Sequence, residues 1–268
     1  MSVRTLLLRG MFAGLVGGLV VFGFLKVLGE EQVGRAISFE KSTAVTAAAT
    51  VPAVDSTPPS DPATTSLAMG HETEAVSRNV QSTVGLGTGT VVVGVALGGI
   101  FALAFAVAHG RIGARRQRAT ALIVALLGFV AVHLVPFLKY PANPPAIGDP
   151  DSLGRRTALF FAVMAISVAA SVAAVLAQRR LADRLGGWDA TLAALAGFVA
   201  FVALAYVVLP GVNEVPATFP AATLWRFRVV SLGGQLLLWT TIGLVFGALS
   251  ERAEAARRRV TMPTPQSV

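Results

Sequence analysis

The stretch ATALIVALLGFVAVHLVPFL, residues 119–138, contains no Asp, Glu, Lys or Arg. A helix of about 20 apolar residues rises roughly 30 Å, which matches the hydrocarbon core of a bilayer. This stretch therefore predicts a membrane-spanning helix. Similar stretches occur at 84–108, 157–177, 190–209 and 229–249, and at 10–28, where only Lys26 interrupts near the end.

Together the stretches predict an all-α fold, a polytopic transmembrane bundle of about six spans. We interpret residues 1–268 as a single integral membrane domain. The third and fifth spans both contain GFVA, and each leads into a proline-rich loop. This weak repeat is consistent with three helical hairpins, although membrane hairpins can converge on such features without common descent.

The composition agrees with a membrane protein. The chain is 54% hydrophobic and only 13% charged, with a mean hydropathy of +0.69. A soluble domain would carry about 25% charged residues. The absence of cysteine excludes disulfides and thiolate metal sites. The net charge of +8 does not indicate nucleic-acid binding, because the arginines fall at the ends of apolar spans.

The distribution of Lys and Arg predicts the orientation, since cytoplasmic loops of membrane proteins are enriched in both. Nine basic residues fall on one side of the predicted spans and thirteen on the other. We therefore expect a multi-pass protein of the plasma membrane with both termini cytoplasmic. The thirteen are Arg4, Arg9, Arg111, Arg115, Arg116, Arg118, Arg179, Arg180, Arg184, Arg252, Arg257, Arg258 and Arg259.

The segments between and after the spans differ in character. Residues 42–70 of the first outer loop are rich in Ala, Thr, Ser and Pro and poor in large apolar residues, which predicts a disordered linker. Residues 252–268 are predicted to be a cytoplasmic tail. Glycines in the second span, and Gly243 with Gly247 in the last, favour close helix packing.

The chemistry that the sequence allows is limited. No P-loop, nucleophile elbow or His-Glu-x-x-His motif occurs, so we expect no enzyme activity and no tightly bound cofactor. His133 lies within the third span, where an ionisable side chain is either functional or an interfacial residue bonded to a carbonyl. Nitrogen and oxygen ligands suit Co²⁺, Ni²⁺ or Zn²⁺. Our candidate metal ligands are His71, Glu74, His133 and Glu214.

Four blocks of the sequence resemble the CbtA family of cobalt transporter subunits. They are RTLLLRGMFAGLVGGLVVFGFLKVLGE at 4–30, EAVSRNVQSTVGLGTG at 74–89, VPFLKYPANPPAIGDPD at 135–151 and LPGVNEVPATFPAATLWRFRVVSLGGQLLLW at 209–239. Besides the candidate ligands Glu74 and Glu214, the residues carried over from these blocks are Arg78, Gln81, Lys139, Tyr140, Asn143, Asp149, Asn213, Trp225, Arg226, Arg228 and Gln235.

The resemblance implies a membrane subunit for Co²⁺ uptake, linked to cobalamin biosynthesis, with Co²⁺ as the transported ion. It also implies a small single-span partner subunit that bears histidines. Many members of the family that the chain resembles carry histidines in the first outer loop, where this chain has only His71.

Two other functions fit the sequence. One is a non-transporting membrane scaffold for a partner subunit, which would explain the scarcity of metal ligands. The other is a membrane enzyme for lipid-linked substrates, in which Arg155, Arg226 and Arg228 would bind phosphate.

Overall fold

The computed structural model describes residues 2–50, 77, 80–111, 116–145, 147 and 152–261. Six of the helices in these residues are long and apolar enough to cross a bilayer, so the predicted six-span, all-helical fold is confirmed. The helices are α1 (Val3–Leu28), α2 (Glu30–Thr50), α3 (Gln81–Ala108), α4 (Gln117–Lys139), α5 (Leu153–Leu185), α6 (Gly187–Val208) and α7 (Ala221–Thr261). Helix α2, which is shorter and more polar than the others, is the one that is not a candidate span.

Two of the spans contain a π-helical segment, in which the backbone hydrogen bonds are looser than in an α-helix. The segment Gln81–Gly85 begins α3, and Phe129–Leu134 lies in the second half of α4. Pro136 follows within the same helix and has no backbone N–H to donate. Such segments in α-helices are frequent at functional sites.

Helices α1 and α3 meet through glycines. A Cβ atom at Gly14 would lie 2.0 Å from the carbonyl oxygen of Gly94, and one at Gly10 would lie 2.2 Å from that of Gly98. One turn further along α1, a Cβ at Gly18 would lie 2.6 Å from the oxygen of Thr90. Only glycine therefore allows the two backbones to approach this closely. The packing role predicted for glycines of the second span is confirmed for Gly94 and Gly98.

Helix α7 packs against both α1 and α4. A Cβ at Gly243 would lie 2.8 Å from the Cβ of Ala125 on α4, and Gly128 of α4 lies directly under the ring of Trp239. Gly247 likewise contacts α4, so Gly243 and Gly247 have the packing role predicted for them. Helices α1, α3, α4 and α7 thus form a four-helix body.

The core of the four-helix body is aromatic. Phe246 of α7 packs edge-to-face against Phe101 and Phe105 of α3, with ring centroids 5.2 and 4.8 Å apart. These side chains are almost completely buried. Edge-to-face aromatic pairs are favoured by the ring quadrupoles.

Helices α5 and α6 form a separate pair joined by a tight turn at Gly186, whose φ of +80° favours glycine. The pair contacts the body through the second half of α4, where Val163 packs near Val135 and Tyr140. Two pairs of consecutive spans pack closely, α1 with α3 and α5 with α6, whereas α7 packs against both α1 and α4.

Two segments outside the spans are more helical than the sequence suggests. Helix α2 runs to Thr50 and so enters the stretch 42–70 that we predict to be a linker. The alanines at its end are strong helix formers. The remainder of that stretch lies outside the described residues. Helix α7 continues through the start of the predicted tail to Thr261.

Candidate functional site

Most of the described site residues gather where α4 and α6 end and α5 and α7 begin. We call this the proline-loop end, and it contains the described residues of the loop after α4 (140–145, 147 and 152) and the loop 209–220. Lys139 Nζ donates to the carbonyl oxygen of Tyr206 over 2.7 Å, and Tyr140 Oη donates to that of Pro210 over 2.7 Å. The Tyr206 hydroxyl donates in return to the oxygen of Val135. These bonds tie the end of α4 to the end of α6.

Two arginines from different helices hold the Pro141–Asn143 segment. Arg156 of α5 donates from Nη2 to the carbonyl oxygen of Pro141 over 2.7 Å. Arg228 of α7 donates from Nε to the oxygen of Ala142 over 3.3 Å and from Nη2 to Oδ1 of Asn143 over 3.1 Å. Three consecutive residues are thereby fixed between α5 and α7, which we call the arginine clamp.

Glu214 completes the arginine clamp. One of its carboxylate oxygens lies 3.4 Å from Nη1 of Arg156, and the other accepts a hydrogen bond from the hydroxyl of Ser152. The Glu214 side chain is only 8% exposed, and that of Arg156 is 21% exposed. The carboxylate is therefore buried and compensated by a positive charge, as buried charges must be.

Tyr140 lies at the centre of this end and is buried. Burial raises the pKa of its phenol, whereas the nearby positive charge of Arg155 acts in the opposite direction. The phenol consequently stays protonated and able to donate to Pro210.

His133 lies deeper, in the π-helical segment of α4. Its ring stacks between those of Phe129 and Phe137, with centroids 6.2 and 5.6 Å away. Its Nε2 atom is buried and has no hydrogen-bond partner in the part of the chain that the structure describes. An unpartnered buried nitrogen in a membrane span is costly, which marks His133 as a candidate ligand.

The remaining carried-over residues lie outside the arginine clamp. Gln81 begins α3, Gln235 is half-buried on α7, and Asn213, Trp225 and Arg226 are exposed. Trp225 is 69% exposed, as befits an aromatic side chain at the membrane interface. His71, Glu74, Arg78 and Asp149 lie outside the described residues.

The described residues alone do not assemble a metal site. Within the described ranges, no three His, Cys, Asp or Glu side chains lie close enough to hold one ion. Of the four candidate ligands, His133 has a free nitrogen and Glu214 is occupied by Arg156 and Ser152. The other two are not described, so the ligand set stays a prediction.

Sequence reasoning missed several residues of the proline-loop end. Arg156, Ser152 and Tyr206 are not among the predicted site residues, although the two arginines in the first turn of α5 are visible in the sequence. Lys26, which interrupts the first apolar stretch near its end, donates to the carbonyl oxygen and hydroxyl of Ser82 and to the hydroxyl of Thr83. It thereby connects the end of α1 to the π-helical start of α3.

Six apolar spans with a polar, loop-organising cluster at one end define a multi-pass helical membrane protein. A family model described as "Probable cobalt transporter subunit (CbtA)" matches residues 3–251, and the chain belongs to this family. The family assigns the chain to membrane transport of cobalt and, as a subunit, implies a partner. No curated protein and no solved structure matches the chain.

Proposed function

We propose that this chain is the membrane subunit of a Co²⁺ uptake transporter that supplies cobalamin biosynthesis. The observation that carries the proposal is the family match, which extends from residue 3 to residue 251 and so includes all six spans. The chain acts in transport without catalysing a reaction, and Co²⁺ is its cargo.

The proposed direction of transport rests on charge. With the arginine-rich loops in the cytoplasm of a plasma-membrane protein, the proline-loop end faces outward. A divalent cation moving inward gains about 4.6 kcal/mol per 100 mV of inside-negative potential, at roughly 2.3 kcal/mol per elementary charge. Uptake therefore requires no nucleotide site in this chain.

His133 is the residue we assign first to the ion path. Its Nε2 is the kind of ligand that Co²⁺ accepts, and it is buried without a protein partner among the described residues. The looser backbone of the Phe129–Leu134 segment, followed by Pro136, would allow α4 to adjust as the ion passes.

Glu214 has a conditional role in this proposal. Its carboxylate can bind Co²⁺ only after it leaves Arg156 and Ser152. If Co²⁺ replaced Arg156 as the positively charged partner of Glu214, entry of the ion would release the arginine clamp. His71 and Glu74 are proposed to supply the remaining ligands from the first outer loop, next to a small single-span partner subunit that carries histidines.

The test is uptake of radiolabelled Co²⁺ in cells that lack other cobalt importers. The protein is expressed alone and together with its small partner, with Ni²⁺ and Zn²⁺ as competitors. Uptake that the competitors fail to suppress supports a cobalt importer. No uptake in either arrangement, with the protein present in the membrane, would overturn the proposal.

One structural observation favours a second function, a non-transporting scaffold. The Pro141–Asn143 segment, which lies in the family block 135–151, is held by Arg156 and Arg228 in a hydrogen-bonded loop, and no three-ligand group is present in the described part of the chain. If the chain is a scaffold, we expect the partner to bind this chain. We also expect His133→Ala to leave Co²⁺ uptake by the complex unchanged.

A further inference from the structure

A cleft of 840 Å³ lies between α4, α5 and α6. It is lined by the second half of α5 and the first half of α6, which meet at the turn at Gly186. The cleft therefore lies at the opposite end of the bundle from the arginine clamp, where Arg111 after the end of α3 is also found. We call this the arginine-loop end. Clefts of this volume are of the size that holds small ligands.

The walls of the cleft are apolar and accessible. Leu126 of α4 is 61% exposed and Leu195 of α6 is 56% exposed, and Val175 and Phe198 complete the apolar lining. From Ser171 to Arg179 the cleft extends over eight residue steps of α5, or about 12 Å at 1.5 Å per residue. This depth is close to one leaflet of a hydrocarbon core about 30 Å thick.

The rim of the cleft is basic. Arg111 and Arg179 both line it, and no acidic side chain lines it within the described residues. Arg111 donates from Nη1 to the carbonyl oxygen of Val107 over 2.7 Å, which anchors its guanidinium at the end of α3 while other N–H groups stay available. Gln178 adds a further hydrogen-bonding group to the lining, whereas the hydroxyl of Thr191 already donates to the carbonyl oxygen of Gly187.

We propose that this cleft binds an anionic glycerophospholipid of the leaflet at the arginine-loop end. The phosphate would accept hydrogen bonds from Arg111 and Arg179, and an acyl chain would lie along the wall formed by Leu126, Leu195 and Phe198. Basic pockets between transmembrane helices on the cytoplasmic side are a known mode of lipid headgroup binding. A free phosphate would satisfy the arginines but would leave the apolar wall unfilled.

The test uses the full-length protein in detergent, with bound lipids counted by native mass spectrometry. The probes are dioleoyl phosphatidylglycerol and dioleoyl phosphatidylcholine. We expect the anionic lipid to bind more tightly, and the double variant Arg111→Gln/Arg179→Gln to weaken it by about tenfold, since each basic residue attracts anionic lipid. The matched pair Arg180→Gln/Arg184→Gln, on the same helix but not lining the cleft, should retain wild-type binding.

Further variants and probes distinguish a bound lipid from a free phosphate or a polypeptide in the cleft. Ala174→Phe should weaken both lipids because it fills the apolar wall, while Arg111→Lys/Arg179→Lys should retain the preference for the anionic lipid. The melting temperature of each variant is measured to check that the variant folds. Displacement of the lipid by excess glycerol 3-phosphate would overturn the proposal. An equal loss of lipid binding in Arg111→Gln/Arg179→Gln and in Arg180→Gln/Arg184→Gln would overturn it too. A polypeptide, rather than a lipid, crosslinked to a photoreactive residue at position 126 would also overturn it.

Discussion

Nη1 of Arg156 lies 3.4 Å from the carboxylate of Glu214, and 58 residues of sequence separate the two. Arg156 stands at the start of α5, and Glu214 stands in the loop that leads into α7. Since both side chains are largely buried, this ion pair fixes the loops of the proline-loop end relative to each other.

Removal of one partner of this ion pair should destabilise the protein more than removal of both. Arg156→Ala leaves the Glu214 carboxylate buried and unpaired, which costs about 3–5 kcal/mol in comparable pairs. Arg156→Ala/Glu214→Gln should recover much of that loss. The melting temperature in detergent measures both effects. The control is Arg155→Ala, because Arg155 is the exposed neighbour on the same helix. Equal melting temperatures for Arg155→Ala and Arg156→Ala would refute the role of the pair.

Close packing of α1 on α3 should make Gly14 intolerant of any side chain. In Gly14→Ala the new Cβ would meet the carbonyl oxygen of Gly94 at 2.0 Å, so the helices must move apart. We expect a loss of about 1–3 kcal/mol of stability, the usual cost of overpacking. Gly23→Ala on the same helix meets no atom within 4 Å and should be neutral. Thermal unfolding that gives the same stability for both variants would contradict this interface.

Arg228 should not be replaceable by lysine. Its guanidinium binds Ala142 and Asn143 through two different nitrogens, an arrangement that a single ammonium cannot reproduce. In Arg228→Lys we expect amide hydrogen exchange in the 140–145 loop to accelerate by about tenfold, from the loss of a charged hydrogen bond. The exposed Arg226 on the same helix supplies the control Arg226→Lys. Unchanged exchange in Arg228→Lys would show that the arginine clamp is not needed to order the loop.

If the transport proposal is correct, His133→Ala should reduce Co²⁺ uptake by at least about tenfold. Loss of a residue that tunes a metal site has an effect of this size on metal affinity or activity. The variant should still reach the membrane, because the ring makes no hydrogen bond through Nε2 to the described residues. His109→Ala is the matched control, since His109, like His133, stacks on a phenylalanine ring but stands at the end of α3. Normal uptake by His133→Ala would remove His133 from the ion path and favour the scaffold.

The spans were predictable because lipid imposes a simple rule. Charged side chains are excluded from about 20 consecutive residues, and 119–138 and its counterparts satisfy that rule. The π-helical segment around His133 was not predictable, because no residue in Phe129–Leu134 requires it. The proline-rich block at 135–151 carries part of the family resemblance, but the residues of this block do not indicate that Arg156 and Arg228 of other helices bind it.

The six spans, the basic loops and the membership of the CbtA family follow from the order of the amino acids alone. The packing of α7 against α4, the neutralisation of Glu214 by Arg156, and the cleft that α5 and α6 leave beside α4 are evident only in the folded protein. Lipid and protein neighbours are equally apolar, so a span's sequence does not show which of its faces meets another helix. That choice depends on small residues and polar contacts between segments far apart in the chain.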